Sequence, residues 1–553
     1  MFKSEVVKIL KSAGIKTEEK ILEKPPQSEF GDIAFPCFHL AKEKKKNPQL
    51  IAQDIAKKIK LGKKSLISKV EAKGAYVNFF FNYSVLSKIV LNDIIKKNEK
   101  YGTGKIKNKT AVIDFSSPNP AHPIHVGSAR STFIGESLSR ILEFSGYKTK
   151  RICYVNSLGR QVAILVWSYL KFANGKKPNK KPDQWLLNIY VKGNEAIANN
   201  PKLEEEVDDT LRKLEKGDKT LLSVSKKLVE WCLEGFKETY KRIGINFDEY
   251  LWESNFSQIS KKYVQKLLAE KFAFKTDDGA VIIDLEKHGL SNTVLLRNDG
   301  TGLYLIRDVA AGIYKFTKYK PSLNVYVVAE DQKLHFQQEF KIFELLGYKN
   351  LAKSSKHLSF GYVNLPEGKL SSRLGRVVLI DDVFDEAAKR VKFHTKDENI
   401  AKAVGKAAVI YAILRIDPDK QVTFNWDEIL NLEGNTASYL QYAHTRCSGI
   451  LRKSKTWKPV YTKKEFENHE KRLIGLLSNF SQMVEQAAND LRPSYICNYV
   501  YELATAFNEF YEKCPVIKAE KELKDFRLTL VKATEIVLKN ALNLIDIEAV
   551  EKM

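Results

Sequence analysis

Residues 114–130 read Asp-Phe-Ser-Ser-Pro-Asn-Pro-Ala-His-Pro-Ile-His-Val-Gly-Ser-Ala-Arg. Within this string His125 can donate a hydrogen bond to a phosphoryl oxygen. Gly127, with no side chain, allows a nucleotide to approach the backbone closely. The apolar run 111–115 predicts a buried strand, and the apolar spacing after the string predicts a helix over about 126–144. The connection therefore leads from the carboxyl end of a strand to a helix N-terminus. Free N–H groups and the helix dipole favour phosphate there, and open α/β sheets bind ligands at such ends. Taken alone, His-x-Gly fits a Pro-rich connection with two incidental histidines better than a site.

Three further segments carry groups suited to chemistry. Residues 368–375, Gly-Lys-Leu-Ser-Ser-Arg-Leu-Gly, offer charge from Lys369 and Arg373 and hydroxyls from Ser371 and Ser372. That set suits charge neutralisation in phosphoryl transfer; alone it also reads as a basic surface turn. In 299–310, Tyr304 and Asp308 lie four apart and share a face if the segment is helical. A carboxylate so placed fits a guanidinium in fork geometry, or pairs with Arg307, or caps a helix. In 432–446, Tyr439, Tyr442 and Arg446 fall at i, i+3 and i+7. An aromatic and cationic face suits splayed bases; an aromatic stripe also suits a core.

The elements that position these residues follow from patterning. With 553 residues the chain exceeds the roughly 250–300 residues at which single cores stop growing, so three domains are expected. Residues 1–104 form a first unit with helix-like spacing at 1–13 and 48–60 and a strand at 77–81. The strand at 111–115, the helix over 126–144 and a strand at 150–154 make a βαβ unit, which implies a parallel sheet. The run 324–329 is apolar enough for a central strand. Residues 170–300 read as an insertion of charged helices with a β-like segment at 279–285. From 396 onward only helical patterns occur, at 401–414, 438–451, 472–489, 498–511 and 526–544, giving a bundle.

The net charge is +24, which attracts polyanions: nucleic acid first, a membrane surface second. Six scattered cysteines without a Cys-x-x-Cys pair argue against zinc or a disulfide framework and for reduced thiols in a cytoplasmic protein. Neither a secretory segment nor an apolar run of spanning length is present.

His125-Val126-Gly127-Ser128 resembles the His-Ile-Gly-His signature of class I aminoacyl-tRNA synthetases. With the preceding Ser-Ser-Pro-Asn it resembles the arginyl-tRNA synthetases in particular. Residues 368–375 are similar to that family's Lys-Met-Ser-Lys-Ser loop, 299–310 to its central motif, and 432–446 to its anticodon-binding domain. Residues Gly74–Phe79, with Gly31-Asp32, resemble its N-terminal appendage. The motifs stand in the family's order over nearly the whole chain. Two positions depart: Ser128 replaces the second histidine and Ser372 the second lysine. His122 stands where some members carry a lysine.

The resemblance implies a multidomain α/β fold: a small N-terminal α+β domain touching the tRNA elbow (1–104), a Rossmann-like parallel-sheet catalytic domain with insertion (105–395, insertion about 170–300), and an all-α anticodon-binding bundle (396–553). It implies ATP-dependent activation of L-arginine to arginyl-adenylate and transfer to tRNA-Arg, with Mg²⁺ accompanying ATP, no zinc and a monomer. His125, Gly127, Ser128, Lys369, Ser371 and Ser372 would be catalytic. His122, His125, Gly127, Ser128 and Lys369 would bind ATP. Asp114, Ser117, Asn119, Tyr304, Asp308 and Gln332 would hold arginine. Tyr76, Asn78, Tyr439, Tyr442, Arg446 and the terminal Met553 would touch tRNA. The rival readings are a nucleotidylyltransferase of the same fold and a non-catalytic tRNA-binding paralogue.

Overall fold

Most strands and helices follow the apolar spacing of the sequence. The computed structural model describes residues 2–62, 65–364, 378–392, 395–431, 434–454 and 456–553. They divide into two units: 1–101 with 446–480 and 503–537, and 102–445 with 481–502 and 538–553.

In the first unit, β1 (Ile33–Pro36), β2 (Ile67–Lys73) and β3 (Tyr76–Phe81) form an antiparallel sheet of order β1-β3-β2. Val77 and Phe79 alternate into a core with Val6 and Leu10 of the helix Phe2–Ser12 and Ile51 and Ile55 of the helix Pro48–Lys58. Asp32 fixes the start of the next helix, accepting from Phe81 N at 2.7 Å and Tyr83 Oη at 2.6 Å. The same unit contains a fully buried Glu470, held by Arg527 Nε at 2.9 Å and Lys463 Nζ at 2.6 Å. A buried carboxylate is tolerated because both oxygens are paired.

In the second unit, β4 (Thr110–Asp114), β5 (Lys148–Val155) and β6 (Glu249–Trp252) join β10 (Leu323–Ala329) and β11 (Ser355–Phe360) in an all-parallel sheet of order β11-β10-β4-β5-β6. Between β6 and β10 the short antiparallel strands β7 (Ala273–Lys275), β8 (Val281–Ile283) and β9 (Thr293–Leu296) make a separate sheet. A two-stranded pair, β12 (Val363–Asn364) with β13 (Val422–Thr423), follows. The region expected as one insertion at 170–300 is thus interrupted by β6, which belongs to the central sheet.

Alternation along β4 sets the two layers. Val112 packs with Ala310 and Ala311 of the helix Tyr304–Tyr319. Phe115, just past the strand, lies against the helix Val126–Phe144 at Gly135, where a Cβ would come within 2.1 Å of the ring. Only glycine permits that approach. The helices Glu398–Leu414, Ala437–Lys453, Asn468–Asp490, Ser494–Lys513 and Lys521–Leu544 complete the chain. All six cysteines are buried free thiols. Among the described residues no helix is long and apolar enough to cross a membrane.

Candidate active site

β4 pairs with β5 on one side and β10 on the other, and the crevice beyond their carboxyl ends is the place where such sheets bind ligands. The chain leaves β4 under strain: Ser116 and Ser117 both have left-handed φ, +70° and +41°. For non-glycine residues that costs on the order of 1–3 kcal/mol each, and local bonds offset it. Ser116 N donates to Ser131 Oγ at 3.0 Å. Ser116 Oγ sits 2.7 Å from both Thr132 Oγ1 and Tyr240 Oη. Ser117 Oγ accepts from Tyr154 N at 3.0 Å and lies 3.4 Å from Asp114 Oδ1. Asn119 closes the next turn, its Oδ1 accepting from Ala121 N at 3.1 Å.

His125 is the N-cap of the helix Val126–Phe144. Its Nδ1 accepts from Ser128 N at 3.2 Å, and Ser128 Oγ accepts from His125 N at 3.0 Å. Burial holds the His125 imidazole below its ordinary value, so the ring is neutral at pH 7. With Nδ1 accepting, the proton of the neutral ring sits on Nε2, which is left as the donor. Ser128 Oγ also donates to His125 O at 3.0 Å, so its hydroxyl is committed to the helix cap. A Cβ at Gly127 would meet the His125 ring at 3.0 Å; glycine leaves room for the capping imidazole. His122 is buried edge-on against Tyr190 at 4.9 Å. Burial, with His125 alongside, lowers it to about 4. Its Nδ1 has no hydrogen-bond partner among the described residues.

Lys369, Ser371 and Ser372 lie outside the described residues. The chain on either side of 365–377 is tied to the His125 helix. Arg130, fully buried, donates to Gly361 O at 2.5 Å and to Asp417 O at 3.0 Å. Val126 N donates to Val378 O at 3.1 Å and Ile380 N to Ile124 O at 3.0 Å.

Of the residues expected to hold arginine, Asp114 at the end of β4 and Ser117 just beyond it lie near Asp308 and Tyr304 of the helix Tyr304–Tyr319. Asp114 Oδ2 pairs with Lys315 Nζ at 2.5 Å. Lys315 is seven residues beyond Asp308 on the helix Tyr304–Tyr319, hence on the same face. Asp308 Oδ2 lies 3.0 Å from His335 Nε2, and Tyr304, 57% exposed, stacks on the His335 ring at 5.2 Å. Arg307 turns away to Glu253 Oε1 at 2.7 Å. The Tyr154 hydroxyl is driven well above its ordinary value by burial and by the Asp308 and Glu253 carboxylates, so these groups neighbour one another. Gln332 follows β10 in a single 3-10 turn, half-buried. A cleft of about 520 Å³ opens beside Tyr304 and Arg307, lined by Arg160, Asp208 and Arg297 and not by Asp308 or Asp114.

Sequence reading did not single out Lys315, Glu253, His335 or Glu339. A lysine seven residues after Asp308 on an otherwise apolar stripe was the available signal.

Elsewhere, Tyr76 packs edge-on against the exposed Phe38 at 5.5 Å, while Asn78 beside it is buried. On the helix Ala437–Lys453, Tyr439 lies 5.7 Å from Tyr501 and Tyr442 is 44% exposed. Arg446 Nη1 donates to Asn508 Oδ1 at 2.7 Å, with its guanidinium 4.8 Å over the Tyr511 ring. Gln441 and His444 donate to or face Glu548 O and Val550 O at 2.8 and 2.9 Å. These bonds hold the tail that ends in the exposed Met553.

Three family models match the chain: "tRNA synthetases class I (R), catalytic domain" over residues 90–426, "DALR anticodon binding domain" over 440–553, and "Arginyl tRNA synthetase N terminal domain" over 1–81. The chain is 37% identical over 554 residues to an arginine–tRNA ligase of Clostridium perfringens, covering 97% of this chain and 96% of the relative. It is 36% identical over 551 residues to that of Halothermothrix orenii, with the same coverage. Its structure is similar to Thermus thermophilus arginyl-tRNA synthetase, with TM-score 0.84, 25% identity, and 100% and 99% of the two chains covered. Together with the paired strands and the capped signature helix, these likenesses place the chain in the class I aminoacyl-tRNA synthetases: it belongs to the arginyl-tRNA synthetase family.

Proposed function

We propose that this protein is an arginine–tRNA ligase. The observation that carries the reading is that Asp308, a carboxylate suited to a guanidinium, lies on the same parallel-sheet unit as a helix N-terminus whose His125 presents a donor suited to phosphate. Relatives that share over a third of their residues with nearly the whole chain bear that name.

In the reaction, a carboxylate oxygen of arginine attacks the α-phosphorus of ATP, and the bond to the β-phosphate breaks to release pyrophosphate. The 2′-hydroxyl of the terminal adenosine of tRNA-Arg then attacks the acyl carbon, its proton leaves, and AMP departs with its bonding pair. His125 Nε2–H and the helix N-terminus stabilise charge on the α-phosphate. Lys369, supported by Ser371 and Ser372, neutralises the departing pyrophosphate. Asp308, Tyr304 and Gln332 orient the side chain of arginine, and Asp114, Ser117 and Asn119 line the pocket from β4. Mg²⁺ enters as the counter-ion of ATP, part of the substrate. The three-domain division at about 104 and 395, a monomer and a cytoplasmic location belong to the same reading.

Pyrophosphate exchange and charging with arginine and tRNA test it. Both activities are expected, with exchange requiring tRNA. Exchange without charging would favour a nucleotidylyltransferase, and neither activity a tRNA-binding paralogue.

The tRNA-facing surface gives a second expectation. Tyr442, Arg446 and Met553 are read as contacting the anticodon loop, and Tyr76 the elbow. A stacked base is worth about 1–3 kcal/mol. Tyr442→Ala or Arg446→Ala is therefore expected to weaken tRNA binding by about tenfold or more in a filter or fluorescence titration, leaving ATP affinity intact. Reduced ATP affinity with unchanged tRNA binding would remove this helix from the anticodon site.

A further inference from the structure

Asp308 is already engaged by a histidine, whose charge can be removed. His335 Nε2 lies 3.0 Å from its Oδ2, and the ring is sandwiched against Tyr304 at 5.2 Å. Behind this pair sits a buried set of charges. Asp114 is tied to the fully buried Lys315, whose ammonium also lies 4.0 Å over the Tyr326 ring. Glu339, one turn beyond His335 on the helix Lys333–Leu345, is fully buried, with no hydrogen bond to either oxygen among the described residues. Tyr154 of β5 and the Glu253–Arg307 pair also lie beside Asp308, and Tyr326 of β10 beside Glu339; His357 of β11 is a further neighbour, lowered by burial, with its Nε2 3.0 Å from Val328 O.

These groups can be counted as charges. Asp114 and Lys315 cancel, as do Glu253 and Arg307. Burial, with Asp308 nearby, pushes the Glu339 carboxyl up to about 8 against the pull of His335 and Lys315, so it is predominantly neutral at pH 7. Burial opposes charge on His335, but the hydrogen bond and charge of Asp308 outweigh it and hold the ring above its ordinary value. One carboxylate, Asp308, is left facing one imidazolium. A guanidinium brought to the same carboxylate carries a charge that cannot be given up. Two cations on one carboxylate in a largely desolvated pocket repel, and the titratable one loses its proton.

We propose that His335 is the exchangeable counter-cation of Asp308 and releases a proton to solvent when the guanidinium of arginine takes its place. This rests on the reading that Asp308 receives the guanidinium. The balance is simple: the imidazolium loses H⁺, the ring remains neutral beside Tyr304, and the pocket keeps its net charge. Because binding expels a proton, arginine affinity rises with pH below the raised His335 value and levels off above it. For one full proton the slope is about tenfold per pH unit.

Isothermal titration of the intact protein with arginine, at about pH 6.5 in two buffers of different ionisation enthalpy, measures the protons released. Up to one proton per arginine is expected from the parent, declining at higher pH, and none from His335→Gln, which keeps a neutral donor to Asp308. Arginine binding without proton release by the parent overturns the proposal while leaving the function intact. Release that persists in His335→Gln and vanishes in Glu339→Gln also overturns it, assigning the proton to Glu339. Failure of the parent to bind arginine at all, with or without tRNA, overturns both this inference and the reading of Asp308.

Discussion

Asp308→Asn is expected to lower kcat/KM for arginine by at least about a hundredfold, or ~2.7 kcal/mol. Besides Glu339, three carboxylates among the described residues meet at this site, and their partners distinguish them. Glu253 is taken by Arg307 and Asp114 by Lys315; both cations are built into the fold. Among the described residues Asp308 forms its ion pair with a histidine of the neighbouring helix, beside the Tyr154 hydroxyl, and the histidine can yield its place to a substrate. Asparagine keeps the shape and removes the charge, so the loss falls on a charge-assisted bond in a partly desolvated site, where such bonds are strongest. Asp114→Asn separates the pocket from the fold. It strands Lys315, which is 1% exposed, and breaking a buried pair costs about 3–5 kcal/mol of stability. Thermal melting is therefore expected to drop well below the parent for Asp114→Asn and to change little for Asp308→Asn. Parental kinetics for arginine in Asp308→Asn would remove this residue from the substrate pocket.

The contrast between these two aspartates also shows what could be read in advance. Strands β4 and β10 were legible because both their faces are covered, which forces continuous apolar runs. β6 and β11 lie at the sheet edges. Four residues at 249–252 and the polar run Ser-Lys-His-Leu-Ser-Phe at 355–360 carry too little apolar pattern to mark a strand. The helical C-terminal segments were legible from their period, and so was the spacing of Tyr304 and Asp308. Lys315, Glu339 and Arg130 were not. A charged residue at helical spacing ordinarily reads as a solvated position, and only the packing of distant segments puts these three inside. The capping role of Ser128 was hidden for another reason. Histidine is not among the residues that usually cap a helix, so nothing in the string indicated that the imidazole and the serine would bond each other's backbone.

Single-turnover adenylate formation is expected to fall by about a hundredfold or more in His125→Ala, and by far less in Ser128→Ala. A positioned donor in a dry site contributes about 2.7–4 kcal/mol to a developing oxyanion. His125 supplies such a donor at Nε2, because its Nδ1 is spent on Ser128 N. Since burial keeps the ring neutral, its strength comes from placement and dryness, not from a formal charge. The lowered value also fixes the pH behaviour. Because burial lowers the ring, the neutral form is kept to lower pH than in an ordinary histidine, and any acid-side loss of activity owed to His125 is expected at lower pH than for an ordinary imidazole. Ser128 gives its hydroxyl to His125 O and accepts from His125 N. Removing it costs a helix cap, about 1 kcal/mol, and loosens the imidazole without deleting the donor. Its effect is therefore expected first in thermal melting and only secondarily in the chemical step. Lys369→Ala is expected to resemble His125→Ala, because it removes charge from the side of the leaving pyrophosphate, and Ser372→Ala to be mild. An unchanged rate in His125→Ala would sink the assignment of this helix terminus to ATP. Equal, severe losses at His125 and Ser128 would show instead that the serine hydroxyl leaves the cap and meets phosphate during turnover.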